Sequence, residues 1–386
     1  MQPTNLSKAD NQIIDKAIWV AKECLLPRAS QYDESASFPI ENWSDLWKHG
    51  LLSISVPKAY GGLELDMPTY ISVIENLAKG CTNSAMTLHM HSVVQQFISA
   101  LATEDQKKLF FTEVMDCGKL FASWGSEPGR RSGSQETRQT VVRPHGEGYA
   151  INGAKHFCSM AGAAHRYLIH CTMDGYGDNR GYQLALVPND ASGITISGEW
   201  NTLGMRGTVS PNVTLENCVV DENALLGGPG EAMNKGIIES FGLGYAAIYL
   251  GAAKKAFEFT MDFYKSENVD SDPNPPYKNP IVQRTAAKMA MSLESAQLVI
   301  YNCAKTWADA SSVEKKVSAA RAKYIASQAS LQVTNQCIQT IGGRSAQKAM
   351  PLERIYRDIR TATLMPPNID LAMEIIGKAE LGVKDY

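Results

Sequence analysis

The chain has 386 residues and a formal net charge of −3, from 37 Lys and Arg against 40 Asp and Glu. It is too long for one small core and long enough for two or three packed layers. With no basic run or stripe, nothing favours nucleic acid or an anionic membrane surface.

The first ten residues are polar and carry no apolar signal core, and the longest apolar run, Tyr245 to Ala253, is too short to span a bilayer. A cytoplasmic protein with no membrane or nucleic-acid partner is the expectation. Eight cysteines are scattered without a CxxC pair and read as buried thiols rather than a disulfide framework or zinc site. His89 and His91 are two residues apart, so on a helix they point in different directions, and no metal site is expected.

Residues 1–118 read as an N-terminal helical domain. Ile13, Ala17, Val20 and Cys24 recur at helical steps until Pro27, and Trp43, Leu46 and Trp47 restart the period before Gly50. Tyr70, Val73, Ile74 and Leu77 repeat it after Gly61-Gly62, and Thr103 with Gln106 has the form of a capping box.

Residues 119–228 change texture. Thr140 to Arg143, a turn at Gly146 and Tyr149 to Ile151 make a hairpin. Tyr182–Val187, Gly193–Ser197 and Asn212–Glu216 are further short strands separated by Gly, Pro, Asn and Asp. Their spacing predicts a middle antiparallel β-sandwich or barrel domain of about 100 residues.

In residues 229–386 the helical period returns. A long helix is expected over 232–265, with Gly236, Gly242, Gly244 and Gly251 pointing to close backbone packing. A second is expected over 281–310. In a third, Val313, Val317, Ala320, Tyr324, Leu331 and Ile338 form an apolar stripe at heptad spacing that Gly342 ends. The whole is an α+β chain: N-terminal helices, β domain, C-terminal four-helix bundle.

Three loops of the β domain could carry chemistry: Ser126-Glu127-Pro128-Gly129, the run Asn152-Gly153 to Lys155, Phe157 and Ser159, and Leu203-Gly204-Met205-Arg206. Phe157 and Ser159 fall on one face of an extended strand. Taken in order with Gln339, Gly342-Gly343 and the Arg357-Asp358 helix, these loops resemble the acyl-CoA dehydrogenase superfamily over essentially the whole chain. That resemblance implies FAD between the β domain and the bundle. It implies that Ser126 contacts the pyrimidine side, Phe157 packs beside the ring, and Ser159 donates near flavin N5. Ser132 would lie near the thioester arm and pyrophosphate. Gln339, Gly342 and Gly343 would reach the adenosine diphosphate half of FAD in a neighbouring subunit, so a homo-oligomer is expected, a tetramer before a dimer. Asn368 replaces the usual threonine and suits the N-cap of the last helix.

The resemblance further implies an acyl thioester substrate, on CoA or an acyl-carrier protein, that is desaturated with an electron-transfer flavoprotein or oxygen as acceptor. This chain departs from the pattern where the catalytic glutamate belongs, because Pro366 stands there and cannot act as a base. An arginine-bearing motif after the first bundle helix is also missing, and Arg130-Arg131 replace the usual Gly-Ser before Ser132. Loss of the glutamate opens an alternative of the same fold, a flavin-dependent monooxygenase hydroxylating carbon or nitrogen, and a third, a catalytically silent binding subunit. If a base is present, His91 is the first candidate, because the matching helix lines the family's acyl cavity and histidine titrates in the useful range. Glu239, Tyr245 and Asp370 follow, Asp370 reading better as a first-turn carboxylate.

Overall fold

The computed structural model describes residues 7–129, 137–266 and 275–383. Six helices come first: α1 (Lys8–Val20), α2 (Ala29–Ser35), α3 (Ile40–Lys48), α4 (Met67–Gly80), α5 (Thr82–Leu101) and α6 (Glu104–Cys117). Their starts are set locally. Ser7 and Asp10 form a capping box on α1, Asp66 caps α4, and Thr103 and Gln106 make the expected reciprocal box on α6. Pro27 does not stop the first segment. The chain passes through a wide turn (Ala21–Leu25) and a tight one (Leu26–Arg28) into α2, since a proline in the first turn of a new helix gives up an amide that had no partner. Helix α5 is buried on nearly every side and forms the middle of this domain.

The β domain holds β1 (Phe121–Trp124), β2 (Val141–His145), β3 (Gly148–Lys155), β4 (Arg166–Met173), β5 (Tyr182–Pro188), β6 (Ile194–Ser197), β7 (Asn212–Val220) and β8 (Leu225–Leu226). One sheet runs β6-β7-β3-β2-β4-β5-β8, with β1 beside β4. The hairpin β2–β3 is as expected. Two pairings are parallel, however: β1 and β2 lie along β4, opposite 166–169 and 172–173 respectively. Hydrophobic alternation reports which face is buried but not strand direction, so the sequence could not show this.

The C-terminal helices are α7 (Glu239–Ser266), α8 (Pro280–Thr306), α9 (Ser312–Ile341), α10 (Pro351–Arg360) and α11 (Ile369–Glu380). Helix α7 starts later than the sequence suggests. Residues 231–235 form a short turn closed by Gly236 at φ +64°, which puts Glu239 in the first turn of α7. The expected close approaches are present: a Cβ on Gly244 would stand 2.0 Å from the His89 ring, and one on Gly251 2.1 Å from the Glu75 carbonyl oxygen. On α9 the apolar stripe is not the deepest face. Val313 is 45% exposed, while Ala322, Ala326, Ser330, Val333 and Cys337 are buried. Small residues bring α9 close to α7 and α8, and Val317 and Tyr324 serve the smaller contact with Ala372 and Ile375 of α11.

Two motif arginines bind the three parts together. Arg357 of α10 makes a bidentate pair with Asp33 of α2 and also donates to the Leu203 carbonyl at 3.0 Å. Arg206 Nε donates to the Asp33 carbonyl at 2.7 Å. Gly204 leaves no room for a side chain, because a Cβ would lie 2.1 Å from the Arg357 carbonyl oxygen.

Candidate active site

A cavity of about 370 Å³ lies where the three parts meet. From the β domain it receives Ser126, Phe157, Ser159, Met205, Thr208 and Ser210; from α7, Glu239, Phe241, Gly242 and Tyr245; from the segment before α11, Leu364, Met365, Pro366 and Pro367. Met86 and Met90 of α5 add an apolar wall.

The loop carrying Ser126 is anchored one residue later. Glu127 and Lys155 are both buried, and Lys155 Nζ donates to Glu127 Oε1 at 2.8 Å. Glu127 also accepts from the amides of Gln139 (2.7 Å) and Thr140 (2.9 Å). Burial pushes the Glu127 carboxyl up, but the Lys155 charge and these bonds outweigh it and hold the group ionised. The His156 amide donates to the Ser126 carbonyl at 3.0 Å, joining this loop to the next.

Phe157 is 62% exposed, in the left-handed region at φ +56°, with the Trp200 ring edge-on at 6.3 Å. A large exposed aromatic held in that conformation presents a flat apolar face to the cavity. Ser159 sits beside it in a hydroxyl relay that the sequence did not reveal. Thr208 Oγ1 donates to the Met205 carbonyl at 2.8 Å and lies 2.8 Å from Ser210 Oγ, which lies 2.9 Å from Ser159 Oγ. Trp124 Nε1 donates to the Ser159 carbonyl at 2.9 Å. A flat ring with polar edges fits between this aromatic face and these hydroxyls, which is the fit an isoalloxazine requires.

Among the described residues the opposite wall carries no carboxylate. Pro366 and Pro367 follow a turn that Lys323 holds from behind, its Nζ donating to the carbonyls of Ala362 (2.5 Å) and Met365 (3.3 Å). Burial without a carboxylate pushes the Lys323 ammonium down to about 7. Gly242 lets α7 approach this wall: a Cβ there would lie 3.2 Å from Pro367 Cδ. Among the described residues Glu239 is the only carboxylate that lines the cavity. Burial pushes it up to about 7, with Lys316 pulling the other way.

The expectation for His91 needs correction. It is fully buried within the N-terminal domain and is not among the cavity residues. Its Nδ1 accepts from the Phe121 amide at 2.9 Å, so Nε2 carries the hydrogen and points to the Leu52 carbonyl at 3.2 Å. Burial lowers its pKa to about 3. With Nδ1 held by the Phe121 amide and Nε2 between the Leu52 carbonyl and the Gln95 side chain at 2.7 Å, it is a packing residue. His89 comes nearer, hydrogen-bonding through Nε2 to the Phe241 carbonyl at 3.2 Å behind the cavity wall. Tyr245 lines the cavity, and Asp370 is exposed in the first turn of α11. Asn368 caps α11, its Oδ1 accepting from the Leu371 amide at 2.9 Å, and it does not line the cavity. Gln339, Gly342 and Gly343 are exposed at the end of α9 and away from the cavity of their own chain. Ser132 lies outside the described residues.

The comparisons agree with this architecture. The acyl-CoA dehydrogenase N-terminal domain matches residues 7–117, the middle domain 122–218 and the C-terminal domain 243–365. The chain therefore belongs to the acyl-CoA dehydrogenase family and is a flavin-dependent oxidoreductase. It is 28% identical over 362 residues to the mitochondrial short-chain specific acyl-CoA dehydrogenase of Homo sapiens, covering 93% of this chain and 87% of that one. Butyryl-CoA dehydrogenase from Megasphaera elsdenii superposes with a TM-score of 0.89 at 24% identity, over 98% of this chain and 100% of that one. FMN-bound TdsC from Paenibacillus sp. A11-2 superposes with a TM-score of 0.85 at 25% identity, over 96% and 97%. Among the described residues no helix is long and apolar enough to cross a membrane.

Proposed function

We propose that the protein binds FAD against Phe157, Ser126 and Ser159 and desaturates an acyl thioester carried on CoA or an acyl-carrier protein, with Glu239 as the base. The observation that carries the base assignment is the position of Glu239, among the described residues the lone carboxylate of the cavity wall, pushed up to about 7. A carboxylate poised there is half ionised at neutral pH and can both take and return a proton. Desaturation removes a proton from one carbon and a hydride from its neighbour; Glu239 takes the proton. The flavin, when bound, supplies the acceptor for the hydride. Met86, Met90, Phe241 and Tyr245 give the acyl chain an apolar bed and keep water away.

Gln339, Gly342 and Gly343 project from the end of α9, where a second copy of the chain would bring them to its FAD. On this reading the enzyme is a homo-oligomer, a tetramer first, that hands its electrons to an electron-transfer flavoprotein or oxygen.

One observation favours a second reading, a flavin-dependent monooxygenase. Pro366 leaves the wall facing α7 without a base, and the dibenzothiophene monooxygenase TdsC shares the fold. The test is anaerobic mixing of the yellow holoenzyme with acyl thioesters on both carriers. Bleaching by a thioester supports desaturation. No bleaching by any thioester, with a transient oxygen adduct once the reduced flavin meets oxygen, supports hydroxylation instead.

A further inference from the structure

One wall of the cavity has a feature that desaturation does not use. Arg138, just before β2, lines it together with Ser123, His170, Asn179 and Tyr182. The guanidinium carbon lies 6.0 Å from the Tyr182 ring centroid. Its Nε is shut off from solvent and has no hydrogen-bond partner, and among the described residues Arg138 forms no ion pair. Glu127, on the loop before it, is committed to Lys155 and two backbone amides. Glu239 is pushed toward its neutral form. Arg138 is half-buried and its guanidinium also reaches the Tyr182 hydroxyl, but the enclosed Nε can only donate and is costly to leave without an acceptor.

The platform beneath Arg138 is rigid. Tyr182 OH lies 2.5 Å from His170 Nδ1, and His170 Nε2 lies 2.9 Å from Ser123 Oγ. Burial, with the nearby charges of Arg138 and Lys155, keeps His170 uncharged. One of its nitrogens therefore donates and the other accepts, which fixes both hydroxyls and with them the ring under the guanidinium. Asn179 lines the same wall, and its side-chain amide makes no hydrogen bond among the described residues. A fixed cation and a free amide donor facing one cavity are the elements of anion recognition.

We propose that Arg138 and Asn179 form an anion subsite on the β-domain wall of the cavity, taking a carboxylate or phosphate group carried by the substrate. This deepens the thioester reading above and rests on it for the identity of the ligand. The two sources of the anion are a carboxylate on the acyl group and a phosphate on the carrier arm.

The test uses holoenzyme and four ligands that cannot be desaturated further: crotonoyl and fumaroyl groups, each carried on CoA and on N-acetylcysteamine. Binding is measured by calorimetry for wild type, Arg138→Met and Arg138→Lys. A carboxylate source makes wild type prefer fumaroyl to crotonoyl by about tenfold or more on both carriers; a phosphate source gives a similar preference for CoA over N-acetylcysteamine. Arg138→Met should abolish whichever preference is present, and Arg138→Lys should keep part of it, since the charge remains without the planar fork. Retained flavin spectra and melting temperatures show that the variants are folded; if Arg138→Met is not folded, the Lys variant carries the test. Wild type with neither preference, or variants that keep the preference within about twofold, would overturn the subsite. If wild type binds no thioester, yet free succinate or inorganic phosphate raises its melting temperature and not that of Arg138→Met, the thioester reading falls and the subsite stands.

Discussion

Lys155 and Glu127, 28 residues apart in sequence, meet as a fully buried ion pair at 2.8 Å directly behind the loop that presents Ser126. Both belong to motifs that resemble family signatures, and neither lines the cavity. Their role is to hold the strand ends from which the cavity-lining residues Ser126 and Phe157 project. Removing one partner strands the other charge in a low-dielectric interior, which costs about 3–5 kcal/mol. Lys155→Met should lower the unfolding free energy by that order in urea titrations and weaken flavin retention. A variant as stable as wild type would show that the pair is not what holds this loop.

Glu239→Gln should slow anaerobic flavin reduction by an acyl thioester about 10²–10⁴-fold while the flavin spectrum stays the same. In wild type the rate should rise with pH through about 7, as the carboxylate forms, and that rise should be missing in the variant. Stability carries the same group with a definite sign. The native pKa lies above the ordinary value of 4.5, so the native form holds an extra proton between 4.5 and about 7 and wild type loses stability over that window as pH rises. Glutamine has nothing to ionise. The variant should match wild type near pH 4.5 and melt higher above pH 7. Unchanged reduction kinetics would remove Glu239 from the mechanism.

His91→Ala should act in the opposite way. It leaves the Phe121 amide without its acceptor in a closed interior, a loss of about 1–3 kcal/mol on top of the void, while the Leu52 carbonyl keeps its bond from Gln95 Nε2 at 2.7 Å. Flavin reduction by folded protein should be unaffected, because the ring does not reach the cavity. A large kinetic defect at full stability would return His91 to the list of bases.

Pro366→Glu should not create a faster dehydrogenase. Pro367 restricts residue 366 to extended backbone, and Lys323 pins the turn before it through the Ala362 and Met365 carbonyls. A glutamate on that frame points along a vector set by the turn rather than by the substrate. Turnover measured in the Glu239→Gln background is the sharper check: rescue by the added carboxylate would show that the wall is more adaptable than its hydrogen bonds imply.

Much of this was legible in the chain itself. The capping box at Thr103 and Gln106, the Asn368 cap and the helix stop at Gly342 depend on atoms three or four residues apart, and local sequence contains all the partners. The hairpin β2–β3 and the order of the β-domain motifs were readable for the same reason. The three-part plan followed from where helical and alternating periods change.

The site was less legible, because it depends on which distant groups burial brings together. His91 and Glu239 both carry acid–base chemistry in sequence; only packing shows one locked between backbone groups and the other at the cavity wall. The first turn of α7 begins at Glu239 because Gly236 turns the chain just before it, and the cavity wraps around that helix end. Arg138 looks like any strand-edge arginine until Tyr182 and His170 are found beneath it and, among the described residues, no carboxylate paired with it. The sequence by itself determined the three-part fold, through short-range hydrogen bonds and hydrophobic periods, and the order of its loop motifs carried the resemblance to the family. Tertiary structure decided which side chains are desolvated, which charges are paired and which face the cavity, because those depend on neighbours far outside any local window, as Lys155 is from Glu127, and on the dielectric they create together.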